Sequence, residues 1–143
     1  MKPLLLLISP DETHVFDRYL DEVLLIEGYN CREVMESAMP SPAELAQYAV
    51  AIISSGAAAH MEPERVVEYV SAGGNAIILR PPLAWLSHFG LKARGETYAI
   101  LRDGYIHADE HDPWIGGLPA LDLQVPGECD VYENDAADAL AVL

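Results

Sequence analysis

Three short apolar runs, Leu4-Leu5-Leu6-Leu7-Ile8, Ala49-Val50-Ala51-Ile52-Ile53 and Asn75-Ala76-Ile77-Ile78-Leu79, constrain this chain more than any other feature. Each has the length of a β-strand and falls far short of the roughly 20 apolar residues that a membrane-spanning helix needs. Their apolar residues are consecutive rather than alternate. A strand of that kind must be covered on both faces, which is the pattern of a parallel sheet sandwiched between helices.

The segments between these runs supply such helices. Val15, Phe16, Tyr19, Leu20, Val23, Leu24 and Ile26 recur at helical spacing, with Asp11 or Thr13 available as a start cap and Gly28 where a left-handed C-terminal cap belongs. Pro40-Ser41-Pro42 opens a short helix near Ala43 to Gln47, and Pro63 leads Val66, Val67, Tyr69 and Val70 into a helix that stops at Gly73-Gly74. Cys31 to Glu36 alternates polar and apolar residues, as a half-exposed edge strand does. Because strand-helix-strand crossovers are right-handed, these units are expected to wind into an α/β domain of flavodoxin-like or amidotransferase-like design. It would be an open, mainly parallel sheet with helices on both faces and the Leu4 to Ile8 strand at its centre.

The second half is less regular. Leu83 to Phe89 reads as one or two helical turns ending at Gly90. Tyr98 to Leu101 and Tyr105 to His107 flank Asp103-Gly104, a two-residue hairpin signal, so a β-hairpin excursion is expected there. His111 to Trp114 and Gly116 to Pro119 read as loop, and Leu121 to Val125 and Asp130 to Tyr132 as two short strands. The chain is apolar from Ala139 to Leu143, an ending that suggests a domain cut from a longer protein. One domain over residues 1–143 is the expectation from length.

Charge and cysteine usage exclude several roles. Acidic residues outnumber Lys and Arg by 23 to 8, and the net charge of −15 repels phosphate backbones and anionic membrane surfaces. No nucleic-acid or membrane partner is expected. The five-residue apolar run after Met1-Lys2-Pro3 is shorter than the 7–15 residues, roughly, of a signal-peptide core. Cys31 and Cys129 match no metal-binding or redox spacing, so they read as reduced thiols of a cytoplasmic protein.

In an open parallel sheet ligands bind outside the carboxyl ends of the strands. The loops expected to meet there are Ser9 to Thr13, Ser54 to His60, Arg80 to Trp85 and His107 to Trp114. The first of these carries Asp11 and Glu12 and no glycine, which disfavours a flavin phosphate. A phosphoacceptor receiver needs an aspartate where Ser54 and Ser55 stand, and no Gly-x-Gly-x-x-Gly follows any strand. No cofactor is therefore expected. His107, Asp109 and His111 could ligate a metal only if the backbone folded them together, and the simpler reading is a solvated acidic loop. His60 and His88 read as surface or structural histidines. Trp85 and Trp114 read as core packing rather than a sugar-binding rim.

The stretches Tyr48 to Gly56, Val66 to Gly74 and Asn75 to Leu79, with His111-Asp-Pro-Trp-Ile-Gly-Gly-Leu-Pro119 and the ending Tyr132 to Leu143, resemble class I glutamine-amidotransferase-like domains. In particular they are similar to the noncatalytic branch of trehalose-utilisation type and the domain that accompanies some glycoside hydrolases. Catalytic members place a cysteine in the turn after the fourth strand, with a His and a Glu near the C-terminus. Here that turn is Leu79-Arg80-Pro81-Pro82, neither cysteine falls in it, and no His-x-Glu pair ends the chain. The resemblance thus implies a domain without glutaminase machinery, a ligand-binding or assembly module of a larger, carbohydrate-related protein. The expected ligand site is Ser9, Asp11, Ser55, Gly56 and Arg80, with no catalytic or metal-binding residues. Self-association through an exposed edge or the Asp103-Gly104 hairpin is a further expectation. The competing reading is a hydrolase using Asp11, Glu12, Ser54, Ser55, His60 and Arg80, with a metal at His107, Asp109 and His111.

Overall fold

The computed structural model describes residues 2–11, 15–29, 32–36, 40–93, 99–108, 122–134 and 141–142. The chain forms two compact units, residues 1–88 and 89–143.

The first unit is a four-stranded parallel sheet of order β2-β1-β3-β4, built from β1 (Lys2–Leu7), β2 (Arg32–Met35), β3 (Tyr48–Ile53) and β4 (Asn75–Ile78). The three apolar runs supply β1, β3 and β4 as neighbours, and the alternating segment supplies β2 at the edge. Leu5, Leu6, Leu7, Ala51 and Ile53 are fully buried. Helix α1 (Val15–Ile26) packs Leu20 and Leu24 against Leu4, Leu6, Ile8 and Ile52. Alternation along β1 turns Leu5 and Leu7 the other way. Helices α2 (Pro42–Leu45) and α4 (Pro63–Ser71) pack on each other and on β3 and β4 respectively. The step from β1 to β2 and that from β2 to β3 run in opposite directions across the sheet, so right-handed connections carry α1 and α2 to opposite faces.

The helix ends follow local chemistry. Ser41 and Glu44 form a capping box on α2, with the Glu44 carboxylate accepting the Ser41 amide at 2.7 Å. Both hydrogen bonds from Ser41 hold the Glu44 carboxyl below the ordinary carboxylate value. Helix α1 closes through Gly28, at φ 88, whose amide donates to Leu25 O while that of Tyr29 donates to Leu24 O. Helix α4 closes in the same way, Gly73 onto Val70 and Gly74 onto Tyr69. These are Schellman ends, in which glycine takes the left-handed position without steric cost. The buried Tyr69 hydroxyl donates to Tyr48 O at 3.1 Å and so ties α4 to the start of β3.

The second unit is an antiparallel sheet of order β5-β7-β6-β8: β5 (Leu91–Ala93), β6 (Ala99–Ala108), β7 (Leu123–Asn134) and β8 (Ala141–Val142). It corrects the hairpin expectation. Asp103-Gly104 is not a turn but lies inside β6, which pairs with β7 on both sides of it. The register moves from Arg102↔Glu128 to Gly104↔Val125, so β7 carries one extra residue, and Pro126-Gly127 lies in the interval. A bulge is the usual place for a proline within a sheet, because the missing amide then breaks no ladder bond. For the same reason the two short strands expected at 121–125 and 130–132 are one strand of 12 residues. Leu83–Phe89, expected to turn helically, is a 3-10 segment that buries Trp85 and Leu86. The loops expected at His111 to Trp114 and Gly116 to Pro119 lie outside the described residues.

Candidate functional site

The carboxyl ends of the parallel strands do meet along one rim, since the ladder continues past the strands through Ile8 N–H to Met35 O, Ser54 N–H to Leu7 O and Leu79 N–H to Ile53 O. At that rim sits a carboxylate that is almost wholly out of water. Asp17, in the first turn of α1, is 4% exposed, and its Oδ2 accepts the Ser9 amide at 2.8 Å and the Ser54 hydroxyl at 2.6 Å. Ser54 Oγ in turn accepts the Ala57 amide at 3.0 Å as the N-cap of α3 (Ser55–Ala58). One buried oxygen thus pins the end of β1, the end of β3 and the start of two helices. A carboxylate that accepts two hydrogen bonds offsets much of its desolvation, whereas removing it would strand two buried donors.

Beside this brace lies a cleft of about 420 Å³. Phe16, Tyr19, Leu20 and Val23 of α1 form one wall, and Leu79 and Arg80 beyond β4 form the other, with Asp17, Ser54 and Ser55 between them. Arg80 has φ 51, the one non-glycine residue in the left-handed region among those described. A long side chain takes that conformation at a cost of about 1 kcal/mol, so the turn before Pro81-Pro82 is set by its surroundings and not by local preference.

Of the expected ligand residues, Ser55 and Arg80 line the cleft together. Ser9 is buried, joined to the site through Asp17, and its hydroxyl accepts the Asp11 amide at 3.0 Å. Asp11 is exposed and Gly56 is buried within α3, and neither is among the residues that line the cleft. Glu12, Asp109 and His111 lie outside the described residues, as does Cys31. His60 is exposed at the end of α3. His107 Nδ1 meets Asp122 Oδ1 at 2.6 Å in the second unit. Among the described residues no group of three or more His, Cys, Asp and Glu side chains could hold a metal ion, and no helix is long and apolar enough to cross a membrane.

Two functional features escape the sequence reading. Asp17 looks like a solvated helix residue because its charge says nothing of the hydroxyl and amide that approach it from β1 and β3. The short helix α3 does carry a signal, Ser54 ahead of the alanines 57–59, since serine is a favoured N-cap and alanine the best helix former. Comparison of the chain with family models, with curated proteins and with solved structures finds no match.

Proposed function

We propose that this chain is a noncatalytic amidotransferase-like domain, flavodoxin-like in its parallel half. It would serve as a binding and assembly module of a larger cytoplasmic protein, with the cleft at the carboxyl rim as its working surface. The observation that carries this reading is the turn after β4. Catalytic amidotransferases hold their nucleophile there, and here the left-handed position belongs to Arg80, whose permanently protonated guanidinium cannot attack a carbonyl. The neighbouring hydroxyl is committed as well. Ser54 donates to Asp17 and accepts from Ala57, and among the described residues no histidine lines the cleft to act as its base.

The character of the walls favours contact over chemistry. Phe16 and Tyr19 stand largely exposed at its mouth, 87% and 61%, and a cluster of exposed apolar side chains on an acidic domain is a surface prepared for a partner. The test is direct. The purified chain incubated with glutamine should release glutamate no faster than buffer alone, and Ser54→Ala should leave that rate unchanged. Sustained glutamate release above the buffer rate would overturn the noncatalytic reading.

A further inference from the structure

We infer that the cleft beside the Asp17 brace is a site for a small monoanion with an apolar body, a carboxylate carried on an aromatic or branched aliphatic group; the inference rests on the binding-module reading and names the ligand of that same cleft.

Charge in the cleft is opposite to charge on the chain. Acidic residues outnumber Lys and Arg by 23 to 8, yet among the described residues that line the cleft the exposed charged side chain is that of Arg80. Asp17, the carboxyl group of that lining, is 4% exposed, and its Oδ2 already accepts from Ser9 and Ser54. A cationic ligand would meet a guanidinium and a carboxylate committed elsewhere. An anion meets a permanently charged fork of donors. The turn after β4 also holds Arg80 at φ 51 against its own preference, and strain of that kind gathers where a chain must present a side chain to a ligand. Ser55 adds a polar group at the same cleft. It is half-buried, and its hydroxyl makes no hydrogen bond to another described residue, whereas that of Ser54 is used in both directions.

The rest of the lining sets the body of the ligand. Phe16, Tyr19, Leu20 and Val23 on one side and Leu79 on the other are aromatic or aliphatic, so the polar groups are few and the walls are hydrocarbon. At about 420 Å³ the cleft lies within the range of roughly 300–1,000 Å³ of small-molecule sites, which share this composition. A bare phosphate or sulfate would leave those walls in water and would find one guanidinium where sites for dianions gather several donors. A carboxylate is answered by a single guanidinium in two parallel hydrogen bonds, and its hydrocarbon takes the walls out of water. The molecule's other hollow, about 280 Å³ and lined by Arg18, Asp21, Glu22 and Glu36, makes no such offer, because its guanidinium stands among carboxylates and is paired with Glu36 at 3.1 Å.

The test titrates hydrocinnamate, a phenyl ring on a short carboxylate chain, into the full chain at neutral pH and reads the heat of binding. Binding should saturate at one site with a dissociation constant at or below about 1 mM, the range open to a ligand of that size. The uncharged isostere hydrocinnamamide should bind the parent at least about tenfold more weakly. Hydrocinnamate should lose a similar factor with Arg80→Gln, which removes the charge, and with Phe16→Ala/Tyr19→Ala, which removes the wall. All three side chains are exposed, so each variant should keep the circular dichroism of the parent. Equal binding of the acid and its amide, undiminished binding by either variant, or no saturable binding of hydrocinnamate would overturn the proposal. Inorganic phosphate bound as tightly as hydrocinnamate would overturn it too, since the cleft would then select charge alone. Glutamate release is read separately, so a failed titration with no glutaminase activity removes this inference and leaves the noncatalytic reading standing.

Discussion

Residues 1–88 and 89–143 are two compact units assembled on opposite pairing rules. In the first, every parallel step from one strand to the next needs a connection of its own, and each connection brings a helix whose ends are marked by Pro42, Pro63, Gly28 or Gly73. In the second, two long antiparallel strands of 10 and 12 residues carry the structure, and their boundaries depend on which residues pair. The contrast shows where local signals suffice. A parallel unit advertises itself along the chain, while an antiparallel ribbon is settled by distant partners.

The largest effect that can break this contrast lies at the brace. Asp17→Ala should cost about 3 kcal/mol in urea denaturation by leaving the Ser9 amide and Ser54 hydroxyl buried without an acceptor. Ser54→Ala should cost less, and the double variant less than the sum. Strict additivity would mean that the rim is not one network. Next, Gly74→Ala should cost about 2 kcal/mol, because its Cβ would stand 2.2 Å from the ring of buried Tyr69, which its hydroxyl bond to Tyr48 keeps from moving aside. Gly73→Ala, with open space but φ 94, should cost only about 1 kcal/mol. If the two cost the same, packing at the helix end is not what specifies the parallel unit.

Smaller effects sharpen the comparison. Burial pushes the Tyr69 phenol above its ordinary 10.0, with a backbone hydrogen bond at Asn75 pulling the other way. The folded state therefore holds this proton more tightly than the unfolded chain does. The associated stability is complete below pH 10 and is lost as pH rises through the raised folded value. Tyr69→Phe should show a shallower alkaline decline in melting temperature than the parent, and identical slopes would contradict it. In the antiparallel unit the bulge fixes which residues pair. Backbone cross-strand NOEs should join Leu101 to Cys129 and Tyr105 to Gln124, whereas NOEs from Leu101 to Ile106 would restore a turn at Asp103-Gly104.

Most of the parallel unit was legible because its evidence is local. Consecutive apolar residues marked β1, β3 and β4, and alternation marked β2 as the edge. Helix α1 was legible as an element but not in its orientation. Phe16, Tyr19 and Ile26 belong to the same periodic set as Leu20 and Leu24, and periodicity alone makes one broad apolar face of them; only the sheet's geometry divides it into a packed stripe and an open one. Asp17 was invisible for the complementary reason, since its partners are eight and 37 residues away. Ser55 and Arg80 were placed at the cleft by the general rule for parallel sheets, while Gly56 was drawn into α3, a helix whose Ser54 cap was present but unread. The bulge was misread because Asp103-Gly104 has turn chemistry and Pro126-Gly127 has strand-breaking chemistry, and pairing overrode both.

The most direct measurement is amide hydrogen exchange of the full chain with and without Asp17→Ala. The Ser9 amide, held by Asp17 Oδ2, and the Ala57 amide, held by the Ser54 hydroxyl that Asp17 accepts, should quicken together. Quickening at Ser9 alone, with Ala57 as well protected as in the parent, would contradict the single buried brace on which the rim is built.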